Sequence, residues 1–155
     1  MKAAPISLVA ACAACVALAP ASTEACGPMT PEELARMAVD AHLRAVEARD
    51  LRALVSAWSP AAQVTSVRSG GKGPVVSIEP IASAARRWIT AKPRATFSVR
   101  EVAVEGDGAA ALVDETAGGE AFDDTLFLAR EHGVWRIVGA VSRSRPRPAR
   151  GAGGY

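Results

Sequence analysis

The sequence predicts an α+β fold in which a strongly bent antiparallel sheet packs against about three helices that precede it. Two observations lead to this prediction. Apolar residues first recur at helical spacing, and later alternate with polar residues at period two. Short glycine-containing turns divide the later part into consecutive segments. Because such turns join antiparallel neighbours, the later part predicts a β-meander.

The first helix begins at a capping box. Thr30 can cap the third amide of the helix, Glu33 can reach back to the cap, and Pro31 stands where its missing N–H costs nothing. The helix is predicted to run to about Arg49. Charged side chains share one stripe, and the opposite apolar face carries His42.

Two shorter helices and a strand are predicted next. The second helix covers residues 51–58, a weakly alternating strand covers 63–68, and residues 69–74 form a turn or loop. Ser77 is predicted to cap a third helix over residues 78–91. A proline follows each of these helices closely, and proline cannot continue a helix.

Four strands complete the predicted fold, and the turn after each of the first three contains glycine. They cover residues 97–105, 109–116, 122–130 and 134–143. One side of this sheet must be covered by the helices, because half of the residues are apolar and need burial.

The charge distribution excludes a nucleic-acid-binding domain. The formal net charge is +2, but residues 22–142 hold 13 basic against 16 acidic residues. The positive charge therefore lies at the chain ends, whereas a nucleic-acid footprint needs a basic face on the folded domain.

The first 21 residues match an export signal. Lys2 is followed by an apolar stretch over residues 6–18 and by a small-x-small cleavage site, so cleavage is predicted before Ser22. The stretch is too short to span a bilayer, and no transmembrane segment is predicted. The expected location is periplasmic or secreted. A lipoprotein attached through Cys12 is the alternative.

The exported chain is predicted to hold one domain. Residues 22–29 form a flexible leader, residues 30–143 the folded domain, and residues 144–155 a disordered basic tail rich in Pro, Gly and Arg. Cys26 is the single cysteine left after cleavage, so an internal disulfide is excluded.

Three segments carry a resemblance to a known superfamily. They read VDAHLRAVEARDLRALVSAWSPAAQVTSV, SIEPIASAARRWI, and VREVAVEGDGAAALVDET with DDTLFLAREHGVWRIVGAV. In this order the chain resembles the nuclear-transport-factor-2-like superfamily, especially its polyketide-cyclase-like and lumazine-binding-like branches. The resemblance implies a cone-shaped fold, a cavity between sheet and helices, and homodimers that pack through their sheets.

The resemblance does not carry over the enzymatic residues of the superfamily. Its isomerase branch has an acidic base where this chain has Ser66, and it uses a tyrosine donor, whereas Tyr155 is the only tyrosine here. A serine hydroxyl is no base near neutral pH without an activating partner. The dehydratase-like branch combines histidines with tyrosines, and this chain offers only His42 and His132.

Candidates for acid–base chemistry are His42, Asp114 and Asp124. A histidine titrates near neutral pH, and a carboxylate in a pocket could work with it. The alternative for His42 is a core histidine with a satisfied hydrogen bond. The alternative for Asp114 and Asp124 is a salt bridge or a place at the rim.

Trp58 and Trp88 are candidates for stacking on a flat ligand, or else core or dimer contacts. Arg86 and Arg87 could meet an acidic ligand. The predicted ligand-binding residues are His42, Trp58, Ser66, Trp88 and Asp124.

No metal site and no cofactor are predicted, because the two histidines lie far apart and no cysteine pair is present. The sequence thus favours an exported, non-catalytic binder of a small apolar or amphipathic molecule, or a dimeric interaction module. The alternative is a small-molecule lyase or isomerase that uses His42 with a carboxylate.

Overall fold

The computed structural model describes residues 27–70, 73–91 and 94–145. The predicted signal peptide, the lipidation candidate Cys12, residues 22–26 of the leader with Cys26, and the tail beyond Arg145 lie outside the described residues. None of the helices described is long and apolar enough to cross a membrane.

Three helices and six strands form from the described residues. The helices are α1 (Pro31–Ala48), α2 (Leu51–Ser56) and α3 (Ile81–Thr90). The strands are β1 (Trp58–Gly70), β2 (Gly73–Pro80), β3 (Thr96–Glu105), β4 (Gly108–Ala117), β5 (Glu120–Glu131) and β6 (Val134–Ser144). They form one curled sheet in the order β2-β1-β6-β5-β4-β3, and this α+β architecture confirms the predicted fold class.

The capping box of α1 is confirmed. The Glu33 amide donates to the Thr30 hydroxyl oxygen over 3.2 Å, and the Thr30 amide donates to a Glu33 carboxylate oxygen over 2.7 Å. The helix ends at Ala48, and its C-cap residue Arg49 has a left-handed backbone with a φ of 58°. This conformation ends the helix, and its amide bonds back to the last turn.

The predicted meander is confirmed in β3 to β6, with every boundary within two residues. Each neighbouring pair is antiparallel, and the β5–β6 turn places His132 and Gly133 at positive φ. β1 lies between β2 and β6 and pairs parallel to β6, with Val64 opposite Ala140. Parallel neighbours need a long crossover connection, and the connection from β1 to β6 includes α3.

The predicted third helix was wrong in its first turn. Residues 78–80 belong to β2, which pairs antiparallel to β1, and α3 begins at Ile81. Pro80 has extended backbone angles (φ −62°, ψ 149°) and occupies the N-cap position. The two valines before Ser77 favour a strand, and a proline removes a backbone donor that a helix interior needs.

The second helix is also shorter than predicted. It stops at Ser56, and Trp58 begins β1 instead of closing the helix.

The core lies between the three helices and one face of the sheet. Its largest fully buried side chains are Trp58, Leu54, Ile137, Val39, Val64 and Val113. Many of the other core residues are alanines. Small side chains allow the helices to lie close to the sheet.

Candidate functional site

A cavity of about 260 Å³ lies between α1, α3 and the inner face of the sheet. The strand registers arrange its sheet wall in three rows. Val64, Ala140 and Leu126 are adjacent across β1, β6 and β5, and all three are buried. They form an apolar floor.

The second row is polar. Two residues further along the strands, Ser66 stands opposite Ser142, and Ser142 stands opposite Asp124. All three side chains are half-buried and line the cavity. A ligand resting on the floor therefore meets two hydroxyls and a carboxylate at the same height.

The third row lies nearest to solvent. Phe122 and Phe97 both pair with Glu115 from either side, and Arg68 of β1 lies at the same level. Arg68 is exposed and the other three are half-buried. Exposure therefore increases from the floor to this row, which marks the mouth of the cavity.

The helix wall is aromatic. The His42 and Trp88 rings meet edge to face with centroids 5.6 Å apart, and both side chains line the cavity. Trp58 lies behind them, with its ring centroid 5.3 Å from that of His42. It does not line the cavity. We call these three residues the aromatic cluster.

His42 is held as a neutral hydrogen-bond acceptor. The Trp58 indole N–H donates to Nδ1 of His42 over 3.2 Å, so the ring proton of His42 is on Nε2. Burial lowers the pKa of His42 to about 3. His42 therefore cannot take up a proton near neutral pH, and no described carboxylate is hydrogen-bonded to it.

Glu115 and Asp124 form an acid pair on the wall of the cavity. Burial, then the charge of Asp124 and a hydrogen bond with it, raise the pKa of Glu115 to about 8, although Arg87 and Arg68 oppose the shift. Burial also raises the pKa of Asp124, against hydrogen bonding from Ser142 and Glu115. Two close carboxyls in a dry site cannot both ionise easily, so the pair holds one proton near neutral pH.

A buried oxygen atom supports the same ionisation state. Asp124 Oδ1 is buried and receives no hydrogen bond from any N–H or hydroxyl group of the described residues. A hydrogen bond between Glu115 and Asp124 requires a proton on one of the two carboxyls, and Glu115 has the strongly raised pKa. We therefore assign the shared proton to Glu115 and the negative charge to Asp124.

Asp114 lies on the opposite face of the sheet. Its carboxylate pairs with Arg145 and, at 3.3 Å, with the Nε atom of Arg100, and Asp123 belongs to the same ion-pair group. Strand residues one position apart point to opposite faces, so Asp114 points away from the cavity that Glu115 lines.

The structure thus brings together four of the five predicted ligand-binding residues. His42, Ser66, Trp88 and Asp124 line one cavity, and Trp58 lies behind His42. The cavity lining also includes three residues that were not predicted from the sequence: Arg68, Glu115 and Ser142. The signal for Glu115 was its place two residues after Val113, on the face of β4 that carries Ala111 and Val113.

Within the described residues, no three His, Cys, Asp or Glu side chains come together as metal ligands do.

The fold is shared with solved structures. An NTF2-like protein of unknown function from Shewanella baltica OS155 is 18% identical, with a TM-score of 0.63, over 74% of this chain and 94% of that one. One from Silicibacter pomeroyi DSS-3 is 25% identical, with a TM-score of 0.58, over 76% and 100%. A ketosteroid isomerase-like protein from Erwinia carotovora atroseptica SCRI1043 is 15% identical, with a TM-score of 0.54, over 75% and 97%.

No curated protein matches this sequence. The family described as "Putative lumazine-binding" matches residues 30–142, which is most of the chain. The chain therefore belongs to that family, within the nuclear-transport-factor-2-like superfamily.

Proposed function

We propose that this protein is a binding domain, without catalytic activity, for a small apolar or amphipathic molecule. The observation that carries the proposal is the cavity of about 260 Å³, with its apolar floor, aromatic wall and polar second row. Ligand sites are commonly 300–1,000 Å³, so this one suits a small ligand.

The ligand rests with its apolar body between the floor and the ring of Trp88. Trp88 and His42 supply a wall that suits a flat or short-chain body. Ser66 and Asp124 then meet its polar atoms in the second row. Trp58 serves the site indirectly, because its N–H fixes the orientation of His42.

The alternative, a lyase or isomerase that uses His42 as its acid or base, has less support. The Nδ1 atom of His42 already accepts a hydrogen bond from Trp58, and burial lowers the pKa of His42 to about 3. A general base works best when its pKa is near the working pH. The acid pair of Glu115 and Asp124 is the group in the cavity that titrates close to neutral pH.

The test is native mass spectrometry of the protein purified from its producing cells, followed by identification of any retained ligand. Ala140→Leu fills the floor and should abolish ligand retention. Ala41→Leu, on the exposed side of α1, is the matched control and should retain it. Retention of the ligand by both variants would show that the ligand binds elsewhere, and it would overturn the proposal.

We also propose that the protein is exported. The support is the pattern of Lys2, the apolar residues 6–18 and the small-x-small site before Ser22. N-terminal sequencing of protein from the periplasm or medium should begin at Ser22. A lipid-modified Cys12, or a cytoplasmic chain that retains Met1, would overturn this.

A homodimer is the third proposal. Ile78 and Val76 of β2 and Phe127 of β5 are exposed apolar side chains on the sheet face that points away from the helices. Exposed apolar groups on one face commonly mark a partner surface.

A further inference from the structure

The mouth of the cavity is rich in arginine. Four lining arginines come from four different places in the chain: Arg49, Arg68, Arg87 and Arg94. Arg49 is held by a hydrogen bond to the Ala91 carbonyl, and Arg87 pairs with Glu79. Arg68 makes no salt bridge with a described residue.

Glu115 affects the charge of this lining. The other acidic lining residues are Glu47, Glu120 and Asp124, and His42 is neutral. The lining holds four arginines and three acids besides Glu115, and Arg87 is also paired with Glu79 from outside the lining. Arg68 has no salt-bridge partner among the described residues, and Glu115 is an acid whose charge interacts with that of Arg68.

We propose that the ligand is an amphipathic monoanion: a small apolar body with one carboxylate, which Arg68 and Arg87 hold at the mouth of the cavity. This inference rests on the proposed binding function and names the class of its ligand.

The position of the charges supports this assignment. Arg68 lies in the same row as Glu115, and Arg87 lines the cavity next to Trp88 on α3. The charges of both arginines lower the pKa of Glu115. A protonated Glu115 leaves them without its counter-charge and leaves a place for a carboxylate from outside. Arginine suits such a head group, because its planar donors match carboxylate geometry.

Asp124 sets the limit to how deep the anion can reach. It lies one row below the mouth, which along a strand is about 7 Å. Below that row the floor and Trp88 are apolar, so the uncharged end of the ligand must occupy them. A ligand ammonium group would be repelled by Arg68 at the mouth on entry.

Binding is then linked to pH. The groups that face Glu115 are Asp124 from β5, Arg87 from α3 and Arg68 from β1, with neutral His42 on α1. When Glu115 ionises, it competes with the ligand for both arginines. Affinity for the anion should therefore fall above the Glu115 pKa of about 8, and approach tenfold per pH unit.

Three probes with the same apolar body test the proposal by calorimetry on the full-length mature protein at pH 6.5: 3-phenylpropanoate, 3-phenylpropan-1-ol and 3-phenylpropylammonium. The carboxylate should bind at least about tenfold more tightly than the alcohol, which corresponds to about 1.4 kcal/mol. Equal or tighter binding of the alcohol or the ammonium compound would overturn the monoanion and leave the binding function standing. Binding of none of the three would count against both.

Single substitutions identify the side chains that bind the carboxylate of the ligand. Arg68→Gln and Arg87→Gln should each weaken carboxylate binding about tenfold and leave alcohol binding unchanged. Arg86→Gln, the exposed neighbour that does not line the cavity, is the control that should bind normally. Glu79→Gln removes the competing partner of Arg87 and should bind the carboxylate at least as tightly as the unsubstituted protein. Equal losses in Arg86→Gln would show a general charge effect and overturn the assignment.

Glu115→Gln mimics the protonated acid and should keep full carboxylate affinity at pH 9, where the affinity of the unsubstituted protein has fallen about tenfold. An unchanged pH profile in this variant would overturn the role of Glu115. Thermal unfolding of each variant confirms that it is folded before titration.

Discussion

The indole N–H of Trp58 donates a hydrogen bond to Nδ1 of His42 over 3.2 Å, and both side chains are buried, at 1% and 5% exposure. The bond joins the middle of α1 to the first residue of β1. It therefore fixes the helix against the sheet at the wall of the cavity. It also sets the tautomer of His42, because an indole nitrogen can only donate.

Replacing His42 by Ala should destabilise the fold by about 1–3 kcal/mol, since the buried Trp58 N–H loses its acceptor. Trp58→Phe removes the donor instead, and the double variant should cost less than the sum of the two single changes. Urea unfolding followed by circular dichroism measures all three. If the losses of unfolding free energy in the two single variants added up to the loss in the double variant, the hydrogen bond would contribute nothing to stability.

Acid should destabilise the protein through His42. The pKa of His42 is about 3 in the folded state and 6.5 when unfolded, so the unfolded chain binds more protons between these values. Stability from this group is present above pH 6.5 and is lost as the pH falls towards 3, by on the order of 2–4 kcal/mol. Unfolding free energies of the protein and of His42→Gln, compared from pH 7 to pH 4, should converge in acid. A constant difference would contradict the shift.

Glu115 has the opposite effect on the pH dependence of stability. Its pKa is 4.5 when unfolded and about 8 in the folded state, so the folded chain binds more protons between these values. Stability therefore falls as the pH rises from 4.5 to 8. Glu115→Gln should gain about 1–3 kcal/mol over the unsubstituted protein at pH 8 and little at pH 4.

Glu101→Gln, on an exposed part of β3, is the control for Glu115→Gln and should show no such gain. The same unfolding measurements at the two pH values decide the point. A gain that is equal at pH 4 and pH 8 would mean that the carboxyl of Glu115 is not protonated in the folded state.

The meander could be predicted because each of its strands alternates at period two and the turns that join them contain glycine. β2 could not, because its last residues run into a sequence that also suits a helix, with Ser77 as an apparent cap. Only the pairing of Ile78 with Thr65 across β1 makes the strand favourable there. Tertiary contacts decide between two local preferences in this segment.

The site could be predicted only in part, because tertiary contacts again decide between two local patterns. The face of α1 that carries His42 follows from one stripe of charged residues, so its burial could be foreseen. On β4, however, both faces carry apolar residues: Asp114 follows Ala110 and Leu112, and Glu115 follows Ala111 and Val113. Which carboxylate points inward depends on the side of the sheet that the helices cover.

Asp124 lines the cavity and Asp114 points to the other face of the sheet, so substitutions of these two aspartates should have different effects on binding. Asp124→Asn should change the affinity for any ligand of the cavity several-fold, because the carboxylate belongs to the second row. Asp114→Asn should leave affinity unchanged and alter stability by no more than about 0.5 kcal/mol, since it removes exposed ion pairs. Calorimetric titration with 3-phenylpropanoate measures both variants, and a loss of binding in Asp114→Asn would contradict the placement of the site.

The homodimer prediction can be tested on one strand. Val75 and Ile78 of β2 are equally exposed, at 62% and 63%, but they are three residues apart and so point to opposite faces of the sheet. Ile78 shares the face away from the helices with Phe127, which is the expected dimer surface.

Ile78→Lys should therefore yield monomers, because a lysine charge would have to be buried in the interface. Val75→Lys should remain dimeric. Sedimentation equilibrium at micromolar concentration measures the mass of each, and a monomeric unsubstituted protein, or equal dissociation of both variants, would rule out this surface.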